Sequence, residues 1–326
     1  MRVLALAGLA ILALATACGG DGGAGRTPPS ATPITGASAT RTSPSGGAAL
    51  GRLPMTKAAF ITRRDGKGEL YSLDRDGRQV NLSNTPEEET NPDWSPDGTK
   101  IAFSSNRSGD YNIYVANADD SDVVRLTAAA AGDLSPRWSP DGRRIAFSRG
   151  GSLMAMDSDG NNVRLILAAK SERTASTLCE TGGFVGGWSP DGSSITYYAA
   201  SLDKGIGHIC VVDVDGSNLR TVLSEPPGYL VEPSWSPDGQ RIVYRSIRDG
   251  NHEIYVVNVD GSGDTNLTND AATDLEPDWS PDGQWIIFGS DRSGDFELYA
   301  MRSDGSEVTR LTDTPGKDSD PSWSPK

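Results

Sequence analysis

Acidic side chains stand three residues ahead of three tryptophans in a recurring segment: Glu232, Glu276 and Asp320. Asn91 takes the same place further up the chain, with Ser135 and Val185 in the two copies between. Carboxylates gathered without partners raise one another's pKa or recruit a cation. If the fold draws these positions together, they form a negative arc suited to a basic segment of a partner or to a metal ion. If it does not, they are ordinary solvated loop acids.

Other residues capable of chemistry form no set. The two histidines, His208 and His252, come without an aligned carboxylate or cysteine cluster, so they do not make a zinc site. Stretches such as Asp157-Ser-Asp159-Gly160 and Asp213-Val-Asp215-Gly216 lack the further acids and closing glutamate of a calcium loop, and read as hairpin turns. No Gly-x-Ser-x-Gly elbow is present. The expectation is therefore no catalytic residue, no protein-built metal site and no cofactor, a cation in the acidic arc excepted. Arg64, Arg107, Arg248 and Arg292 recur at one place, each followed by Ser or Asp and then Gly. They could form a ring of anion contacts or tie loops to their neighbours through forked hydrogen bonds.

What must position these residues is a repeat. Trp-Ser-Pro-Asp-Gly recurs with tryptophans at Trp94, Trp138, Trp188, Trp235, Trp279 and Trp323, spaced 44 to 50 residues apart, the last copy ending as Trp-Ser-Pro-Lys. After each turn comes a short β-branched and aromatic run, as in Ile101-Ala-Phe103 or Ile286-Ile-Phe288. A second run, a third beyond a hairpin turn, and the segment leading into the tryptophan complete four strands per unit. That period and strand count predict an all-β, six-bladed β-propeller of four-stranded blades. In Ser-Pro-Asp-Gly, proline presets φ and glycine accepts φ > 0. The tryptophans are expected to pack within and between blades. Lys57-Ala-Ala-Phe60 lacks a preceding turn motif, and Asp320-Pro-Ser-Trp-Ser-Pro325 supplies one. The two ends should share one blade and close the ring.

The pattern Ile-Ala-Phe … Ile-Tyr … Asp-Gly … Leu-Thr … Pro-x-Trp-Ser-Pro-Asp-Gly, over about residues 55–326, resembles the WD40-like repeat of the TolB-type six-bladed propellers. That resemblance implies a periplasmic protein engaging other envelope proteins. The family role also calls for a separate N-terminal α/β domain, which residues 1–54 do not supply. The repeat is similar as well to the propellers of oligogalacturonate lyase and of prolyl-oligopeptidase-type peptidases. The lyase needs more histidines than two, and the peptidase needs a hydrolase domain.

Residues 1–18 read as a signal peptide, with Arg2 ahead of an apolar stretch from Val3 to Ala17. Ala15-Thr-Ala17 fits ordinary cleavage, whereas Leu14-Ala-Thr-Ala-Cys18 resembles a lipobox in which Cys18 is lipidated. Residues 19–54, rich in Gly, Ser, Thr and Pro, read as a disordered tether, which favours an anchor at its start. The remaining pair, Cys179 and Cys210, suggests a disulfide in an exported protein. Cys179 lies in the insertion that stretches the Trp138-to-Trp188 spacing, and Cys210 replaces a repeat tyrosine. The net charge of −14 argues against nucleic acid and against a membrane contact other than a lipid anchor. These readings converge on an exported cell-envelope lipoprotein at the periplasmic or extracellular face of the membrane. It is expected to act as a monomeric, non-enzymatic protein-binding module. A carbohydrate-binding or polysaccharide-degrading propeller, or an accessory to a separate peptidase, is the alternative.

Overall fold

The structure, a computed structural model, describes residues 57–325 apart from 65, 120, 171–177, 202–205 and 226–229. The signal segment, the tether and Cys18 lie outside the described residues.

Alternation along single strands sets the architecture. In the strand Lys100–Ser108, Ile101 and Phe103 pack with Ala59, Ile61 and Trp94, whereas Ala102 packs with Trp138, Ile145 and Phe147. One strand thus feeds two cores, because successive side chains leave a pleat on opposite sides. Each core lies between two neighbouring sheets. The repeat tryptophans sit one to a core, Trp94, Trp138, Trp188, Trp279 and Trp323 buried and Trp235 packed against its cluster. Burying a Phe of this kind is worth roughly 1.5–3 kcal/mol. Phe60, Phe103, Phe147 and Phe288 are completely buried at the same repeat position.

The result is six four-stranded antiparallel sheets, the blades of a six-bladed propeller. Their innermost strands are Asp318–Trp323 for blade 1, then Glu89–Trp94, Asp133–Trp138, Phe184–Trp188, Val231–Trp235 and Asp274–Trp279 for blades 2 to 6. Blade 1 is built from both ends of the chain. Ala58 lies opposite Trp323 and Thr62 opposite Asp318, so the last strand pairs with the first and no edge is left between blades 6 and 1. The inner strands of blades 2 to 6 each end in the Ser-Pro-Asp-Gly turn. Asp97 Oδ1, for instance, accepts from Ser95 Oγ at 2.7 Å and from the Thr99 N–H at 3.0 Å, while Gly98 takes φ 70°. All six inner strands run in one sense, so these turns gather on one face of the ring. The segments leading into the inner strands gather on the other.

Candidate functional site

The six inner strands follow one another around the central channel, each in contact with the next. In every blade but the fourth, the position three before the tryptophan falls at a break in the ladder, where the register slips, as between Leu275 and Asp278; in blade 4 Val185 stays paired with Tyr197. Asn91, Ser135, Glu232, Glu276 and Asp320 all have positive φ there, from 49° to 57°. Non-glycine residues in this region cost about 1–3 kcal/mol each, so the surroundings must hold them.

The neighbouring blade does so. Glu232 Oε2 accepts the backbone N–H of Glu276 at 2.9 Å, and Glu276 Oε2 accepts that of Asp320 at 2.5 Å. Asp320 Oδ2 in turn accepts from Thr90 Oγ1 at 3.0 Å. The ladder break frees an N–H in one blade, and the carboxylate of the blade before it takes up that donor. A second layer repeats the device two residues nearer the tryptophan. Asp93 Oδ2 accepts the Trp138 N–H at 2.7 Å and Asp278 Oδ2 the Trp323 N–H at 3.2 Å. The acids are therefore staples between blades as well as channel lining.

Asn91, Glu232, Glu276 and Asp320 line a single cavity of about 50 Å³ together with Asp93, Asp278 and Arg137. That is room for a few waters. Five carboxylates and one guanidinium face this space. Arg245 Nη2 reaches Glu232 Oε1 at 2.9 Å, so one carboxylate of the upper layer is paired with a cation. Burial, with the charges of Asp320 and Glu232, pushes Glu276 up to about 8 against the pull of Lys317. Burial lifts Asp93 to about 7, opposed by Arg137. It raises Glu232 and Asp278 as well, against Arg245 and Arg137 respectively. These side chains are half-buried. The ring is thus a place where an added positive charge gains from carboxylates that are costly to ionise alone.

No three His, Cys, Asp or Glu side chains among the described residues are grouped to hold a metal ion. His252 lies near Arg245 and Lys317, and burial followed by those two charges lowers it to about 4. Burial also lowers His208, whose ring nitrogens find no hydrogen-bond partner. Cys179 and Cys210 are joined by a disulfide with Cα atoms 5.8 Å apart, and Tyr197 Oη donates to the Cys179 carbonyl at 2.6 Å.

The recurring arginines are loop ties. Arg107 Nη2 meets Glu89 at 3.0 Å, Arg292 Nη2 meets Asp274 at 2.9 Å, and Arg64 Nη2 approaches Asp318 at 3.6 Å. Arg248 pairs instead with Glu225 and Asp264. Arg149 joins the set by forking onto Asp133 at 2.7 and 2.8 Å. Each guanidinium also lies over an aromatic ring of its blade, Tyr71, Phe103, Phe147, Tyr255 or Phe288. Glu89, Asp133, Asp274 and Asp318 each stand five residues before a tryptophan. That spacing was legible in the chain, as was the channel set of Asp93, Arg137 and Asp278 one residue before it.

The family model described as the TolB beta propeller domain matches residues 54–176 and 151–326. The chain belongs to this family. Among the family's relatives, a TolB homolog of Chlorobium luteolum is 28% identical over 169 residues, covering 52% of this chain and 36% of its own length. The putative TolB of Agrobacterium tumefaciens superposes with a TM-score of 0.65 at 26% identity, over 84% of this chain and 95% of that one. TolB from Acinetobacter baumannii gives a TM-score of 0.70 at 20% identity, over 82% and 66%. The chain thus spans only about a third of that curated homolog and just under two thirds of the Acinetobacter TolB. An oligogalacturonate lyase in complex with manganese shares the fold more loosely, with a TM-score of 0.52 at 17% identity over 80% and 75%.

Proposed function

We propose that this propeller is a non-enzymatic protein-binding module of the bacterial cell envelope, exported and tethered through a lipidated Cys18. It takes a basic segment of an envelope protein at the channel, against Glu232, Glu276 and Asp320, with Asn91 at the end of the arc. The observation that carries this reading is the composition of the channel: five carboxylates, several held above their ordinary pKa, around one guanidinium. A lysine or arginine entering that space relieves their mutual repulsion. Membership in the TolB propeller family supports a protein partner over a sugar. The lyase likeness is one of fold alone, and fold does not carry function.

The test is affinity capture from intact envelopes with the full chain and with a Glu232→Gln, Glu276→Gln, Asp320→Asn triple variant. The amides keep an oxygen to accept the inter-blade N–H groups while removing charge. Loss of a captured envelope protein, with the fold intact by circular dichroism, supports the reading. Equal capture by both proteins would overturn it. Mass spectrometry of the mature N-terminus decides lipidation: a diacylglyceryl mass on Cys18 is expected.

A further inference from the structure

On the face opposite the lead-in segments, two of the blade boundaries carry a guanidinium over the repeat tryptophan, and the boundary of blades 2 and 3 has a cavity in that place. In blade 3, Arg144 follows the Ser-Pro-Asp-Gly turn and lays its guanidinium over Trp188 of blade 4, 4.7 Å from the ring centre. Its Nη2 also reaches the Gly192 carbonyl at 3.4 Å. Blade 5 does the same with Arg241 over Trp279 at 4.8 Å. At the boundary of blades 2 and 3 the corresponding residue is Lys100, whose side chain is exposed. Among the described residues no cation lies over Trp138. A cavity of about 370 Å³ opens there instead, lined by Pro96, Asp97, Lys100, Trp138, Asp141 and Gly142.

The walls match those of the filled slots. A Cβ on Gly142 would lie 3.7 Å from Pro96 Cδ and one on Gly192 3.8 Å from Pro140 Cδ, so the two pairs of turns have the same separation. The ring of Trp138, Gly142 and the turn aspartates Asp97 and Asp141 thus line the groove without the guanidinium that covers Trp188 and Trp279. We propose that this groove is a receptor for the arginine side chain of a protein partner, which stacks on Trp138 as Arg144 stacks on Trp188. A planar guanidinium combines ring stacking with forked donors, and an ammonium does not. Asp97 and Asp141 at the rim add charge complementarity. The inference rests on the protein-binding reading for its biological sense, but its groove is lined by the turns that follow the inner strands and shares no lining residue with the channel cavity.

The test is titration of the full chain with the tripeptide acetyl-Gly-Arg-Gly-amide, following the indole N–H resonance of Trp138 by NMR. Citrulline, the neutral isostere, replaces arginine in a control peptide. We expect a saturable shift at millimolar peptide, at least about tenfold weaker for the citrulline peptide. Lys100→Arg, which fills the slot from within the chain, should weaken binding by a similar factor. Lys100→Ala should bind as well as the parent or better. A non-saturating shift, equal response to citrulline, undiminished binding by Lys100→Arg, or loss of binding in Lys100→Ala would each overturn the proposal. None of these outcomes touches the envelope capture that tests the channel.

Discussion

Glu276 Oε2 accepts the backbone N–H of Asp320 at 2.5 Å across the boundary of blades 6 and 1, the boundary at which the ring closes. The carboxyl that makes this bond is held up to about 8, against an ordinary 4.5. Above pH 4.5 the unfolded chain releases this proton while the folded chain keeps it. Stability therefore falls as pH rises from about 4.5 to 8 and levels off beyond. Glu276→Gln removes the titration and keeps an acceptor. Between pH 5 and 8 the parent should lose on the order of a few kcal/mol relative to the variant. Urea unfolding at several pH values measures this, and parallel curves for the two proteins would refute it.

Asp274 is fully buried and meets Arg292, which also lies over Phe288 and Tyr299. Taking away the guanidinium strands a buried carboxylate. Arg292→Ala should destabilise by about 3–5 kcal/mol at neutral pH. Part of that loss should return on acidification, because burial already holds Asp274 above its ordinary pKa and protonation removes the stranded charge. Arg302→Ala serves as the control. Arg302 sits over Trp285 but pairs with the largely exposed Glu307, so its loss should cost less and show little pH dependence.

In blade 4 the place five before the tryptophan is Gly183, and in blade 5 it is Leu230, so neither has the acid that ties blades 1, 2, 3 and 6. Blade 4 uses the Cys179–Cys210 bridge instead, closing 31 residues of chain around the widened repeat. Chain entropy alone predicts a loss of about 3–4 kcal/mol when a loop of that length is released. The double variant Cys179→Ser, Cys210→Ser should show this loss in denaturant unfolding. Adding reductant should lower the parent to the same level and leave the variant unmoved.

These latches mark how far the chain could be read. Period and turn chemistry carried the propeller, and the partial copies at Lys57 and Trp323 carried its closure, because both depend on local signals repeated six times. The arginines were legible as a set only where the loop length was constant. Arg149 escaped because its hairpin is tightened by Gly150 and Gly151, both at positive φ, which moves the arginine two places back. The stapling role of Glu232 and Glu276 was not legible at all. The N–H each one accepts is freed by a slip in strand register in the next blade, and nothing in the sequence beside the acid announces that slip.

The same inner strands yield a test at the one copy without proline. Pro92, Pro136, Pro233, Pro277 and Pro321 stand two before their tryptophans, and blade 4 has Gly186 there. Glycine is required for space. A Cβ on Gly186 would lie 2.1 Å from the Pro233 carbonyl oxygen and 2.6 Å from Pro233 Cγ. The Gly186 carbonyl also accepts from Arg137 Nε at 2.9 Å, so displacing this backbone would loosen the lone guanidinium of the channel. Gly186→Ala should therefore cost about 1–3 kcal/mol through overpacking between blades 4 and 5. Gly109, at φ 105° with open space around it, is the comparison, since alanine there suffers backbone strain alone. Gly186→Ala should in addition weaken capture of the envelope partner, and Gly109→Ala should not. Equal capture by both variants would separate the strand contact from the binding surface.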